Sequence, residues 1–543
     1  MKYLPVLYFV LLFSCSPTEE QTADLLVFNG KIYTVDAQNS MAEAFVVKDG
    51  RILEIGPSRK LMSKYKATEL YNANGQYIYP GFIDAHCHFY GYGTNLFRVD
   101  LSETNSFDEV LERLTAWNKA NPDRWIVGRG WDQNEWAGKK YPDNTAIDKL
   151  FPNVPVILQR IDGHAVLANS EALKIAGITG ASKIPGGIVE VFKGTNKATG
   201  VLIDNAADQM LAIIPPSSKE QQIEALHKAQ NNCFQVGLTS IVDAGLDRNV
   251  IEMIDSLQKA KILKMRIYAM ISANKENLDY YLSKGHYKTD YLNVRSFKFY
   301  GDGSLGSRGA LLLEPYSDKS DHYGLMIHEQ EFYKECAQKL YEKGFQMNTH
   351  CIGDSAVRMM LNIYGDVLKS SNDLRWRIEH SQVVHPDDLP LFAKYTIIPS
   401  VQPTHATSDM YWLEDRLGKE RIEYSSSYND LLKQNGFIAS GSDFPVESIN
   451  PLLGFYAAVS RKDLQGYPEG GFNNKNALTR EQALKAMTIW AAIASFEEKE
   501  KGSLEPGKFA DFVILENDII TMPIESVPSL KVVNTFIGGE KVY

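Results

Sequence analysis

The chain has 543 residues, 44% of them apolar and 23% charged, and its 57 Lys and Arg against 67 Asp and Glu give a net charge of −10. At roughly 100–200 residues per domain the length fits two to four domains, and such ordinary proportions exclude a disordered, collagen-like or fibrous chain. The acidic balance leaves nucleic-acid binding without an electrostatic footprint, and no apolar run reaches the ~18 residues of a membrane-crossing helix.

Residues 1–20 read as an address. Met1-Lys2 is a short positive end, Tyr3 to Phe13 is apolar but too short to span a bilayer, and Leu12-Phe13-Ser14-Cys15 closes the stretch before the polar Ser16-Pro17-Thr18. Ending in cysteine, it resembles the lipobox of bacterial lipoproteins. That implies a lipid anchor on Cys15, membrane attachment through it, and a place in the bacterial cell envelope, each buried acyl CH2 contributing ~0.8 kcal/mol. An ordinary cleaved signal or a buried N-terminal strand is the alternative. The other cysteines, Cys87, Cys233, Cys336 and Cys351, fall in no Cys-x-x-Cys spacing, which argues against a disulfide framework or a structural zinc cluster.

Short apolar runs follow at Leu25–Phe28, Lys31–Val35, Ala44–Val47 and Arg51–Ile55, broken by Asn29-Gly30 and Asp49-Gly50, the strongest hairpin signals. The C-terminus has the same texture at Phe509–Leu515 and Val532–Ile537. Isolated hairpins are marginal in water, so 21–78 and 500–543 are expected to combine into one small β-sandwich domain. Between them, 79–499 alternates strands with helices. Buried-looking strands lie at Gly81–His88, Leu238–Asp243, Arg266–Ile271, Arg295–Tyr300, Phe345–His350, Trp376–His380, Tyr395–Val401 and Phe437–Asp443, and amphipathic stretches such as Gln330–Lys343 and Ser355–Leu368 separate most neighbours. Eight units predict an α/β fold, a (β/α)8 TIM barrel with its active site at the C-terminal strand ends. About 150 residues separate the first two strands. A gap of that size, with its own strands at Trp125–Arg129 and Pro155–Arg160, predicts a large insertion at about 120–215 serving as a lid or substrate subdomain.

The strand ends carry the chemistry. Residues i and i+2 of a strand share a side, so His86 and His88 project together and suit a divalent transition metal. His350 and His380 end two further strands and Asp443 ends the eighth, so four of the chain's 11 His share one rim with a carboxylate. In Phe297-Lys298-Phe299 the lysine faces away from both rings, into the barrel. Burial there depresses its pKa, and a carbamate formed with CO2 would supply an anionic oxygen ligand. A snorkelling Lys298, or one paired with Asp302, is the alternative.

With Gly128–Gln133, Asp162–Ser170, Asp302–Ser307, Arg377–Gln382, Gly441–Pro445 and Gly502–Asp511, these residues resemble the amidohydrolase superfamily, and within it the amidohydrolase-3 group of YtcJ-like and N-substituted formamide deformylase-like proteins, over about Asp24 to Tyr543. The resemblance implies a metal site of His86, His88, Lys298, His350, His380 and Asp443. It would hold one or two divalent ions, Zn2+ being expected, with the count set by carboxylation of Lys298. It further implies hydrolysis of a non-peptide C–N bond in a small amide-type molecule by a metal-activated hydroxide, with Asp443 as general acid and base. A deaminase or cyclic-amide hydrolase, or a surface-anchored binding protein without turnover, is the competing expectation, and a homodimer is admitted. Around the rim, His164 is expected to donate to the carbonyl oxygen as it becomes an oxyanion. Trp131 and Trp136, with Asp132 and Gln133 between them, either wall the pocket or merely pack the insertion. Gln402 and His405 are placed to reach the mouth. Arg308 meets an anionic substrate or forms a structural salt bridge.

Overall fold

The computed structural model describes residues 21–122 and 125–543, so the anchor expected at Cys15 lies outside the described residues. Eight strands follow the chain around a parallel barrel: β1 Phe82–Cys87, β2 Leu238–Leu246, β3 Arg266–Ser272, β4 Leu292–Tyr300, β5 Gln346–Cys351, β6 Arg377–His380, β7 Ile398–Val401 and β8 Ala439–Ser440. Period-two patterning sorts their side chains. In β3, Ile267, Ala269 and Ile271 join the core beneath the outer helices, while Tyr268 and Met270 fill the interior. In β4, Phe297 and Phe299 pack outward, each contributing ~1.5–3 kcal/mol of burial. The helices Gln330–Lys343 and Asp354–Leu368 lie against that surface, the second through Ala356, Val357, Met360, Leu361 and Tyr364.

Two strands differ from expectation. Tyr395 ends the helix Leu389–Tyr395, and β7 begins only at Ile398, after Thr396 adopts φ +53° and breaks the helix. The expected strand Phe437–Asp443 shrinks to Ala439–Ser440 because the chain then crosses over β1. There the Asp443 N–H donates to His86 O (2.8 Å), the His88 N–H donates to Phe444 O (2.8 Å), and the Ser442 hydroxyl donates to Asp84 Oδ2 (2.6 Å). Gly441 makes the approach feasible: a Cβ on it would stand 2.4 Å from His86 N and 2.6 Å from Asp84 Oδ1. The first and last strands thus meet through the residues that carry the site.

Between β1 and β2 the chain builds a six-stranded sheet in the order Gly187–Val191, Ala198–Asp204, Ala165–Ala168, Val156–Arg160, Ile126–Trp131 and Val99–Asp100. One face carries Leu101, Leu114, Trp131 and Trp136, and the other carries Ile157, Val166, Leu202 and Met210. Near the chain ends, a four-stranded sheet drawn from 21–72 and a six-stranded sheet to which Tyr77–Pro80, Phe512–Leu515 and Val532–Ile537 belong share one core of Leu25, Val27, Phe45, Ile78, Phe512 and Phe536. Arg266, the first residue of β3, ties that core to the barrel through a buried ion pair with Asp511 (2.6 Å). No helix among the described residues is long and apolar enough to cross a membrane.

Candidate active site

His86 is fully buried at the end of β1, and its Nδ1 lies 2.5 Å from Glu379 Oε2 on β6. Burial, reinforced by the neighbouring Lys298 charge, pushes the His86 pKa down to about 4. The ring is therefore neutral, its Nδ1–H donates to Glu379, and Nε2 presents a lone pair to the site. Glu379 is itself held by Arg377, whose Nε lies 2.7 Å from Oε1 and whose Nη2 also donates to Ala85 O (2.6 Å) and Ser400 Oγ (2.9 Å). Burial disfavours the Glu379 carboxylate, but Arg377 and His86 outweigh it and bring its pKa down to about 2.

Asp443 follows β8 with φ +61°, and His380 ends β6 with φ +73°. Both are left-handed conformations that a non-glycine residue adopts at a cost of ~1–3 kcal/mol. Asp443 Oδ1 lies 3.5 Å from His86 Nε2 and 3.1 Å from His88 Nε2. Two ligands ~2.1 Å from a tetrahedral ion stand about 3.4 Å apart, so this spacing is that of donors sharing a cation. Among the described residues, Asp443 Oδ1 and His380 Nδ1 are buried with no hydrogen-bond partner, and buried orphans of this kind call for an explanation that a metal ion supplies. Burial would raise the Asp443 carboxyl, but the facing His88, His86 and His380 hold it well below its usual range. It is ionised at neutral pH.

Lys298 is buried with Nζ 3.2 Å from His86 Nε2 and 4.9 Å from the Tyr300 ring centroid. Burial lowers its pKa to about 8, within reach of the neutral amine that carbamate formation needs. Asp302 does not pair with it; that carboxylate accepts from the N–H groups of Ile352, Gly353 and Leu311 instead. The His350 ring lies 4.4 Å from that of His380, and its Nε2 lies 3.2 Å from Gly303 O. Burial pushes both imidazoles well below their ordinary pKa.

His164, in the turn before Ala165–Ala168, reaches the barrel from the insertion, its ring 4.9 Å from that of His350. Its Nδ1 lies 2.8 Å from Asp204 Oδ1. Burial opposes the charge, but the Asp204 hydrogen bond and the nearby carboxylates raise the His164 pKa to about 9. Asp204 ends the strand Ala198–Asp204 at φ +51°. Over these groups opens a cavity of about 980 Å³, walled by His350, His380, His405 and Asp443 of the barrel and by Asp132, Arg160, Asp162 and His164 of the insertion.

His86, His88, Lys298, His350, His380, Asp443, His164 and His405 thus converge, and Asp132 joins them on the wall as an ion-pair partner of Arg160. At the other rim residues, the packing alternative holds for Trp131 and Trp136 and the salt-bridge alternative for Arg308, while Gln133 and Gln402 do not reach the cavity wall. Trp131 is 1% exposed, its indole N–H donating to Leu158 O (2.9 Å), and Trp136 donates to Thr104 O (2.8 Å), so both pack the insertion core rather than wall the pocket. Gln133 is buried and accepts from Arg160 Nε (2.8 Å). Arg308 pairs with Asp318 (2.7 Å) beside a separate hollow. Gln402 is buried after β7 and is absent from the cavity wall. Sequence reading missed Glu379, although Arg377-Ile378-Glu379 puts both charged residues on one side of a strand. It also missed Asp204, forty residues from His164, for which the sequence holds no signal.

The family model described as the amidohydrolase family matches residues 69–543. The chain is 32% identical to the putative amidohydrolase YtcJ of Bacillus subtilis, covering 95% of this chain and 98% of that one. It is 25% identical to an N-substituted formamide deformylase of Arthrobacter pascens, covering 96% and 98%. A crystal structure of an uncharacterized metal-dependent hydrolase from Pyrococcus horikoshii superposes with a TM-score of 0.76 at 27% identity, covering 92% of this chain and 99% of that one. With its histidine and aspartate donors converging at the C-terminal mouth of a parallel barrel, the chain belongs to the amidohydrolase family and is a hydrolase built to hold a divalent metal.

Proposed function

We propose that the protein hydrolyses a non-peptide, amide-type C–N bond in a small molecule that enters the cavity between insertion and barrel. The observation that carries this reading is the ionised Asp443 carboxylate, 3.1 Å from His88 and 3.5 Å from His86, in the wall of a cavity that His164 also lines. Similarity to a formamide deformylase over nearly its whole length supports the bond type. His86, His88, Lys298, His350, His380 and Asp443 would hold the ion, with Zn2+ the natural occupant of so imidazole-rich a site. Once bound, the ion would polarise the carbonyl and lower the pKa of a water toward ~7.

The chain's own groups supply the rest. Asp443, ionised and at the floor of the cavity, accepts the proton of the attacking water and returns it to the departing nitrogen, so the C–N bond breaks with a neutral amine leaving. His164, held by Asp204, gives its Nε2–H to the carbonyl oxygen as negative charge builds there. Glu379 keeps the His86 Nε2 lone pair turned inward. Asp443→Asn should lower kcat by ~10²–10⁴-fold while the variant keeps its metal; undiminished turnover at unchanged metal content would refute the role. A screen of N-acyl amines, N-acyl amino acids and cyclic amides identifies the substrate.

The address belongs to the same proposal: an envelope enzyme tethered through Cys15. Membrane fractionation of Cys15→Ala checks it, since the variant should leave the membrane pellet, and retention there would dismiss the anchor.

A further inference from the structure

Arg129 belongs to the insertion strand Ile126–Trp131, and nothing in the proposed mechanism uses it. Its Nη2 donates to Ile161 O (2.9 Å), while its Nε is buried with no hydrogen-bond partner. Asp100 stands opposite Arg129 in the register of the neighbouring strand, yet its carboxylate accepts from the Ser102 N–H (2.9 Å) instead. Arg98, immediately before that strand, donates to Asn95 Oδ1 (3.1 Å). Among the described residues neither guanidinium forms an ion pair, whereas Arg160 holds Asp132 and Asp162, and Arg377 holds Glu379. Burial lowers the pKa of both, that of Arg129 to about 10; Asp443 and Asp162 oppose that fall, and the Arg98 charge adds to it. Two partly buried like charges with no anion in contact are costly. The turn Asp162-Gly163-His164 passes over Arg129, since a Cβ on Gly163 would stand 3.6 Å from both Nη1 and Nη2. The guanidinium therefore lies beneath the residue next to the oxyanion donor. His88 is 30% exposed although it lies outside the wall of the large cavity, so the metal donors are also open on the flank where the helix Phe89–Asn95 leads to Arg98.

We infer that Arg98 and Arg129 form an anion subsite for a carboxylate of the substrate, which makes the substrate class N-acyl amino acids. A guanidinium and a carboxylate match as two planar forks. The bound carboxylate gives the Arg129 Nε the acceptor it lacks and neutralises charge that no side chain neutralises. Only two bonds separate the amide nitrogen of an N-acyl amino acid from its carboxylate carbon. One molecule thus suits a guanidinium under Gly163 and a carbonyl donor on His164, the adjacent residue.

This inference rests on the amide-hydrolase reading above, and the test separates the two. Full-length metal-loaded protein is assayed on a panel of N-formyl and N-acetyl amino acids, each beside the matching N-acyl amino alcohol, which keeps the amide and loses the charge. The wild type should favour the acid through a lower KM. Arg129→Gln, and separately Arg98→Gln should the first fail to fold, should lower the acid-to-alcohol ratio of kcat/KM by roughly 10–100-fold, and Arg129→Lys should restore part of it. Binding of the same acids and alcohols, followed by calorimetry, reads the subsite without turnover. Acids that bind the wild type and are weakened in Arg129→Gln or Arg98→Gln support the subsite even where nothing in the panel is hydrolysed, an outcome that removes the bond type alone. Acid and alcohol accepted equally by the wild type, an unchanged ratio in both folded Gln variants, or no acid bound by the wild type would overturn the subsite.

Discussion

At Glu379 one carboxylate decides which nitrogen of His86 is free. Its 2.5 Å contact with Nδ1 leaves only Nε2 to the site, and Arg377 keeps the carboxylate ionised. Glu379→Gln preserves shape but removes that charge, so metal affinity should fall by roughly 10–100-fold, measured by competition with a chromophoric chelator. His164 allows a pH prediction. With Nδ1–H given to Asp204, neutral His164 has a bare Nε2, and only the imidazolium can donate to an oxyanion. Its pKa is raised to about 9, so the required form is present below that value and is lost as pH rises through it. In Asp204→Asn the support for the charge disappears, and the alkaline limb of kcat should move down toward the ordinary imidazole range near ~6.5. A limb that stays at the same pH in both proteins would contradict the donor role.

At the scale of elements, the crossing of the chain after β8 over β1 matters most. Gly441 permits it by lacking a side chain, since a Cβ would sit 2.4 Å from His86 N. Gly441→Ala should therefore cost about 1–3 kcal/mol in urea denaturation and lower metal content, because the backbone that shifts carries both His86 and Asp443. Element-level reading explains what was legible. The His86-Cys87-His88 pair could be read because strand period two puts alternate residues together. The helices Gln330–Lys343 and Asp354–Leu368 could be read from their 3.6-residue periodicity. Trp131 stayed ambiguous because its neighbours Asp132 and Gln133 are polar; the strand Ile126–Trp131 turns its indole into the insertion core while Gly130 borders the cavity. Likewise the apolar Phe437–Ala439 run implied a long strand, and no local signal marks the crossing over β1 that ends it at Ser440.

For the whole molecule, distance along the chain limits what a sequence can disclose. His164 and Asp204 are forty residues apart, yet Ala165 pairs with Ile203 on adjacent strands, so the pairing of the sheet, rather than any motif, makes them partners. The same holds for Arg266 and Asp511, which join the barrel to the sheets near the chain ends. The positions of His350, His380 and Asp443 were legible because a barrel gathers all its C-terminal strand ends on one rim, a global rule that needs only the strand count. The insertion then roofs that rim, so that groups at or past the C-terminal ends of β4 to β8 and groups of the sheet above enclose one cavity. The most direct test of this convergence is metal content and amide hydrolysis followed on one preparation through chelation and reloading with Zn2+. Turnover should vanish with the metal and return with it. Undiminished hydrolysis by metal-free protein would show that these side chains gather for some other purpose.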